Sequence, residues 1–293
     1  MPAGPVPASS VTTTEAGDPP AGSIVVAAAG DIACTPGLVN SERQCRMGAT
    51  AEVVAAADPA MVLTLGDNQY EDGSLENFQR SYQASWGRFK ARTHPSPGNH
   101  EFSGGNAPGY FAYFGAAAGP PGKGWYSFDA GGWHLVSLNS NCTAIGGCGP
   151  GSAEYDWLKA DLAASDARCT LAYWHHPRFS SGYHGNDASV GPLWELLDAA
   201  GAELVLSGHD HHYERFAPLA PDGTPDSGGM RQFVVGTGGR SLYPTLVAET
   251  GSEVRRSTTY GVLLLTLSPD GYRWRFAAVA GDDFTDSGQG DCH

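Results

Sequence analysis

The sequence predicts an α/β fold, and two observations carry that prediction. Short apolar runs stop abruptly at Ala29-Gly30-Asp31, Leu65-Gly66-Asp67-Asn68, Pro97-Gly98-Asn99-His100-Glu101, Trp174-His175-His176-Pro177 and Ser207-Gly208-His209-Asp210-His211. Runs of this kind fit strands covered on both faces, with polar residues lifted out at the carboxyl end, the edge where ligands collect in open α/β sheets. Two pairs of the runs are also separated by a helical stretch, which makes β-α-β units.

Residues 1–22 are rich in Pro, Ala, Ser and Thr and lack aliphatic periodicity, so they read as a flexible arm ahead of one catalytic domain over 23–293. Ile24–Ala29 is a small-residue strand, followed by a loop bounded by Cys34 and Cys45, a helix around Ala49–Ala57 and a strand from Met61. Asp31 and Asp67 then lie side by side on one edge of a parallel sheet. Leu75–Arg88 carries apolar residues at helical spacing, the prolines of Thr93–Pro97 forbid a helix, and the Gly/Ala/Pro-rich Gly104–Gly124 reads as a long surface loop. Trp125–Asp129 and Trp133–Asn139 form a hairpin across Ala130-Gly131-Gly132, and a second Cys-bounded loop spans Cys142–Cys148. Ser152 caps a helix to Ala164 whose Tyr155, Leu158 and Leu162 share a face. Cys169–Trp174, a helix over Gly191–Ala200 and Glu203–Ser207 repeat the β-α-β pattern, now ending in histidines. Strands at Gln232–Val235, Gly261–Leu267 and Tyr272–Val279 close the architecture, with no further site-like cluster expected there.

The chain has 293 residues, 41% of them hydrophobic, and 17 Lys+Arg against 31 Asp+Glu give a net charge of −14. With no basic cluster, a nucleic-acid duplex or an anionic membrane is excluded as the main partner, and an anionic substrate needs a local cation such as a metal. No apolar run is long enough to span a bilayer. The six cysteines form no C-x-x-C pair, which favours disulfides over structural zinc and an exported compartment, secreted or periplasmic. The opening residues, without an apolar h-region, read as the start of a mature exported chain. Connectivity is not fixed by sequence, but the two short Cys-bounded loops and the remaining pair suggest Cys34–Cys45, Cys142–Cys148 and Cys169–Cys292.

Carboxylates, an amide and histidines at strand ends make a mixed oxygen and nitrogen set suited to two transition metals. Taken singly, a Gly-Asp is an ordinary turn and a buried His an ordinary hydrogen-bonded core residue. The His209-x-His211 pair is more specific, since both side chains reach one metal region from an extended or turn segment.

In their order, Asp31, Gly66-Asp67-Asn68-Gln69-Tyr70, Gly98-Asn99-His100-Glu101, Trp174-His175-His176-Pro177 and Gly208-His209-Asp210-His211 resemble the calcineurin-like metallophosphoesterases. Tyr70, three places after Asp67, makes the chain similar to purple acid phosphatases. The resemblance covers about Ile24–Arg215 and implies a four-layer α-β-β-α sandwich of two mixed sheets, with a dinuclear metal site at the strand ends. It implies Asp67 as the bridging carboxylate, Asp31, Tyr70 and His211 on one metal, and Asn99, His175 and His209 on the other. The tyrosine-bearing position then holds ferric iron, and the other divalent iron, zinc or manganese. Asp31-Ile32-Ala33 departs from the family's frequent Asp-x-Gly, which leaves the turn geometry open.

By the same resemblance His100 is the histidine beside the metals, and His184, nine residues after His175, is the one over the substrate phosphate. Either is a candidate proton donor, and with Asn99 they are candidates to bind substrate. Arg178 is a further phosphate candidate, with a surface ion pair as the alternative. His176 and His212 point away from the metals in an extended segment and read as hydrogen-bonding supports, and His94, His134 and His293 as structural. Gly236-Thr237-Gly238-Gly239 opens no helix and holds no Lys, so it reads as a tight turn near the site rim rather than a phosphate loop. Asn141-Cys142-Thr143 is a weak glycosylation match. The implied reaction is hydrolysis of small phosphate monoesters by in-line attack of a metal-bound hydroxide. A phosphodiesterase or nucleotide hydrolase on the same site is the alternative, and a binding scaffold is the non-catalytic one, disfavoured because no ligand position is missing.

Overall fold

The computed structural model describes residues 21–41 and 43–293, so the N-terminal arm expected over 1–22 lies outside the described residues except for its last two positions. In chain order the elements are β1 (Ile24–Ala29), α1 (Met47–Ala57), β2 (Met61–Leu65), α2 (Leu75–Asn77), β3 (Thr93–Ser96), α3 (Asn99–Phe102), α4 (Pro108–Phe114), β4 (Tyr126–Ala130) and β5 (Trp133–Ser137). They continue with α5 (Ala153–Ala164), β6 (Cys169–Tyr173), α6 (Gly191–Ala199), β7 (Leu204–Ser207), β8 (Tyr213–Leu219), β9 (Met230–Val235), β10 (Ser252–Arg256), β11 (Gly261–Ser268), β12 (Gly271–Ala278) and β13 (Ser287–Asp291).

Two mixed sheets result, in the orders β13-β12-β11-β1-β2-β3 and β10-β8-β9-β7-β6-β5-β4. Strand alternation explains how they stack. Leu135, Leu171, Tyr173, Leu204, Leu206, Phe233 and Val235 of the second sheet join Val26, Ala28, Leu63, Leu65 and Leu265 of the first in one core. Their immediate neighbours Val136, Ala172, Val205 and Val234 face the other way, onto Leu158 of α5 and Leu193, Trp194 and Leu197 of α6. With α1 packed against β11 and β12, the layers are α-β-β-α, as the resemblance implies.

Both β-α-β units are present. β1 pairs with β2 in parallel, and β6 with β7. The β1–β2 register continues beyond the strands, because Asp31, Ile32 and Ala33 donate their N–H groups to the carbonyls of Gly66, Asp67 and Asn68. Asp31 and Asp67 are therefore neighbours, and Ala33 fits without exposure where the family often has glycine.

Two local expectations, for Leu75–Arg88 and Gly104–Gly124, need correction. Leu75–Arg88 is broken into α2, a π-helical turn over Phe78–Tyr82 and a 3-10 stretch over Trp86–Arg92. Thr93–Ser96 is a strand, as the run ending at Gly98-Asn99 implied, and it accommodates Pro95 because β3 is the outermost strand of its sheet and the missing N–H costs no ladder bond on the open side. The expected loop Gly104–Gly124 contains α4, with Pro108 at its start where a proline's fixed φ suits a first turn. β8 is not read from the sequence, and a register shift between Arg215 and Pro218 blurs its alternation.

The three expected disulfides are formed, and among the described residues no cysteine is free. Cys169–Cys292 closes a separation of 123 residues and fastens the C-terminal end to the strand that delivers His175. Closing so long a loop is worth about 4 kcal/mol in the chain-entropy picture. Cys169→Ala with Cys292→Ala should accordingly lower the thermal midpoint by roughly 10 °C. A midpoint within about 2 °C of the parent would show that the tail is held by its other contacts.

Candidate metal centre

All seven ligand candidates converge at the carboxyl ends of the central strands. The Tyr70 phenol oxygen lies 2.8 Å from Asp31 Oδ1, 2.9 Å from Asp67 Oδ2 and 3.0 Å from His211 Nε2. A second group surrounds His175, whose Nε2 lies 3.2 Å from Asp67 Oδ2, 3.1 Å from Asn99 Oδ1 and 3.2 Å from His209 Nδ1. Asp67 Oδ2 is common to both groups.

These separations have a simple interpretation. Donors about 2.0–2.1 Å from one ion, at right angles or somewhat wider, stand about 3 Å apart. Hydrogen bonding alone does not explain such a cluster, since nitrogen and oxygen acceptors crowd it faster than protons can satisfy them. Asp31 and Asp67 are 0% and 2% exposed, and among the described residues neither pairs with a lysine or arginine. Two buried carboxylates this close together repel each other and favour a cation between them. The donor set thus fits two metal ions, with Asp67 between them.

Outer contacts aim the ligands. His175 Nδ1 lies 2.8 Å from the Leu65 carbonyl and His211 Nδ1 2.9 Å from Ser241 Oγ, which turns each Nε2 lone pair toward the cluster. The His209 N–H donates to Asp31 Oδ2 and the His100 N–H to Asp67 Oδ1, both at 2.9 Å. Buried Glu101 accepts from Gly98 N and Gln69 N, tying the turns after β2 and β3 together. Asp31, Asp67 and His209 all adopt positive φ, a strain that surrounding structure must hold in place. Gly66 combines φ +80° with a close approach, since a Cβ there would sit 2.5 Å from the His175 ring. At Gly98 a Cβ would meet Asp67 Oδ1 at 2.2 Å, which accounts for both Gly-x motifs.

Charge within the cluster is strongly coupled. Burial alone would raise the Asp67 carboxyl, but the charge and hydrogen bond of His175 outweigh it and hold it well below the usual carboxylate range. Burial would likewise depress His175, yet Asp67 lifts it to about 9. The Tyr70 phenol is pushed far up by burial and then by Asp31 and Asp67, so without a cation it keeps its proton. Burial, followed by the His175 charge, presses His209 well below the ordinary imidazole range and keeps it neutral, as a ligand must be.

The remaining candidates divide. The His100 ring lies tilted 4.2 Å from that of Tyr70, with Nδ1 on the Glu71 carbonyl at 2.5 Å and Nε2 3.8 Å from Asp67 Oδ2. His184 is exposed, its ring 4.3 Å from that of His209. Arg178 lies over the Phe179 ring at 4.6 Å and against Gly191, and among the described residues no hydrogen bond or ion pair joins it to a ligand candidate. His176 does not point away as expected: its ring lies 4.4 Å from His209, and its Nδ1 lies 2.7 Å from Ser140 Oγ. His212 supports from outside through Glu214 at 3.0 Å. His94 stacks on Phe128, His134 bridges Asp129 and Asp161, and His293 faces Glu203.

Sequence reasoning placed the Gly236–Gly239 turn near the site rim but missed what the loop after it contributes. Besides Ser241, it supplies Tyr243, stacked on His211 at 4.0 Å, and Arg240, which lies over the Tyr70 ring at 5.3 Å and pairs with Glu71. Its glycines announced a turn at the rim without saying which side chains follow.

The calcineurin-like phosphoesterase family model matches residues 24–213. Purple acid phosphatase 23 of Arabidopsis thaliana is 31% identical over 225 residues, covering 62% of this chain and 47% of the relative. The acid phosphatase of Aspergillus ficuum is 31% identical over 154 residues, covering 39% and 25%. An uncharacterized protein of Mycobacterium tuberculosis is 34% identical over 147 residues, covering 43% and 28%. The chain spans less than half the length of each of these relatives. Among solved structures, the purple acid phosphatase PPD1 of yellow lupin (Lupinus luteus) superposes with a TM-score of 0.71 at 20% identity, covering 91% of this chain and 53% of that one. GAP50 of Plasmodium, an anchor in the inner membrane complex, superposes at 0.67 and 15%, covering 92% and 89%.

Proposed function

Since this chain belongs to the calcineurin-like phosphoesterase family, we propose that it is a metal-dependent phosphatase acting on small phosphate monoesters. One observation carries the proposal: two groups of donors about 3 Å apart share the single oxygen Asp67 Oδ2. Asp31, Tyr70 and His211 would hold one ion, and Asn99, His175 and His209 the other. Tyr70, a hard anionic donor once deprotonated, favours ferric iron at its position, with divalent iron, zinc or manganese at the second. When bound, such ions acidify water and draw charge from a phosphoryl group.

The chain's own residues supply positioning and protons. Asn99 and the two histidines of the second group line the place where a phosphoryl oxygen would sit. His100 is fixed through Nδ1, so its Nε2 is the atom free to carry a proton. His184 is held at its backbone by Asp210, 2.9 Å away, and presents its ring beside His209 from the open side. We assign residues 23–293 to this catalytic domain. Three disulfides and the absence of free cysteine among the described residues support an exported location, and no helix among them is long and apolar enough to cross a membrane.

Rates on alkyl and nitrophenyl monoesters, with a diester alongside, test the reading. A leaving alkoxide needs a proton far more than a nitrophenolate does, and general acid catalysis contributes about 10²–10⁴-fold. His184→Ala, or failing that His100→Ala, should therefore cut the alkyl ester rate at least about tenfold more than the nitrophenyl rate. Equal losses on both esters in both variants would remove the acid role from the histidines. A parent enzyme faster on the diester would replace the monoesterase assignment.

A further inference from the structure

The segment Ser180–Gly185 carries His184 out of a heavily anchored turn. Buried Asp210 accepts from Ser180 Oγ at 2.5 Å, His184 N at 2.9 Å and Gly185 N at 3.3 Å. Buried Glu214 accepts from Ser181 N at 2.9 Å and from Ser181 Oγ at 2.5 Å. A Cβ on Gly182 would sit 2.3 Å from Asp210 Cγ, so the segment lies hard against that carboxylate. The residue this clamp presents, Tyr183, is nevertheless 68% exposed.

A second segment is fastened to the first. Leu246 N donates to Ser181 O at 2.8 Å and Glu249 N to Ser181 Oγ at 2.9 Å, while Leu246 and Val247 are 63% and 83% exposed. Tyr243 joins the two to the metal cluster. Its ring is 6.4 Å from Tyr183, 5.9 Å from His184 and stacked on His211. Apolar side chains held outward by buried polar groups, and continuous with a polar site, are a binding surface rather than scattered exposure.

We propose that Tyr183, Tyr243, Leu246 and Val247 form a subsite for a planar aromatic group on a singly phosphorylated ester. This inference rests on the monoesterase reading above. The aryl group would stack on the Tyr183 face while the phosphoryl group sits toward His184 and His209. Neither segment, Ser180–Gly185 nor Ser241–Glu249, contains a lysine or arginine. Arg240, whose charge reaches Tyr243, is already paired with Glu71, so a second phosphate on the substrate gains little there in a protein of net charge −14.

Full-length wild type and Tyr183→Ala are compared on phenyl phosphate and glycerol phosphate, and in binding phenylphosphonate against methylphosphonate, which are not hydrolysed. The phenyl-over-glycerol preference in kcat/KM, and the phenyl-over-methyl preference in binding, should each fall about fivefold in the variant, with Val247→Ser changing both in the same direction. Equal changes for aryl and non-aryl ligands, or none, overturn the subsite. Selective phosphonate binding without turnover of any ester keeps the subsite and sinks the monoesterase reading, whereas turnover with no aryl preference does the reverse. A wild-type dimer that Tyr183→Ala dissociates without altering selectivity would give the surface to a second copy of this chain and overturn the inference.

Discussion

Asp67→Asn is expected to lower the hydrolysis rate by roughly 10³-fold or more, and to release metal from both positions rather than one. The size follows from where Oδ2 sits, 2.9 Å from the Tyr70 oxygen and 3.2 Å from His175 Nε2, within reach of both donor groups. An asparagine keeps the shape but loses the charge, and its NH₂ group would present protons where a ligand lone pair is needed. Loss of an outer support such as Ser241, which only orients His211, should by contrast cost about 10–100-fold. Metal content and kcat measured on the same Asp67→Asn preparation check the expectation. A variant that retains both ions, or stays within tenfold of the parent, would show that Asp67 does not bridge.

Tyr70→Phe is expected to bleach the protein. In the metal-free arrangement burial and two carboxylates hold the phenol proton firmly, so only a strongly charged ion nearby makes phenolate the stable form. A ferric ion bound there would give a phenolate-to-iron charge-transfer band in the visible range. The band should disappear in Tyr70→Phe while the ion held by Asn99, His175 and His209 remains, and hydrolysis should fall with it. Colourless, active wild type containing only zinc or manganese would remove the ferric assignment and leave the phosphatase reading intact.

Much of this site was legible because four of the ligand candidates, Asp31, Asp67, Asn99 and His209, directly follow a glycine with a steric reason to be there. Gly66 and Gly98 leave room for the His175 ring and the Asp67 carboxylate, so the spacing of the motifs records packing. Local pattern failed where the deciding contact was distant. Helical spacing over Leu75–Arg88 suggested one helix, yet the stretch is broken into a short helix, a π-helical turn and a 3-10 stretch. Arg240 reaches Tyr70 across 170 positions of chain, and nothing in Gly236–Gly239 signals it. Asp210, between two ligand candidates, reads as part of a metal motif, but it faces the other way and anchors the segment bearing His184. Tertiary folding alone decides such contacts.

Metal stoichiometry of the purified wild-type chain, set against its rate on a phosphate monoester, tests the central claim most directly. Two ions per chain are predicted, with activity lost on chelation and restored in proportion as both positions refill. Full activity in metal-free protein, or at one ion per chain with no further gain on adding a second, would contradict a dinuclear centre bridged by Asp67.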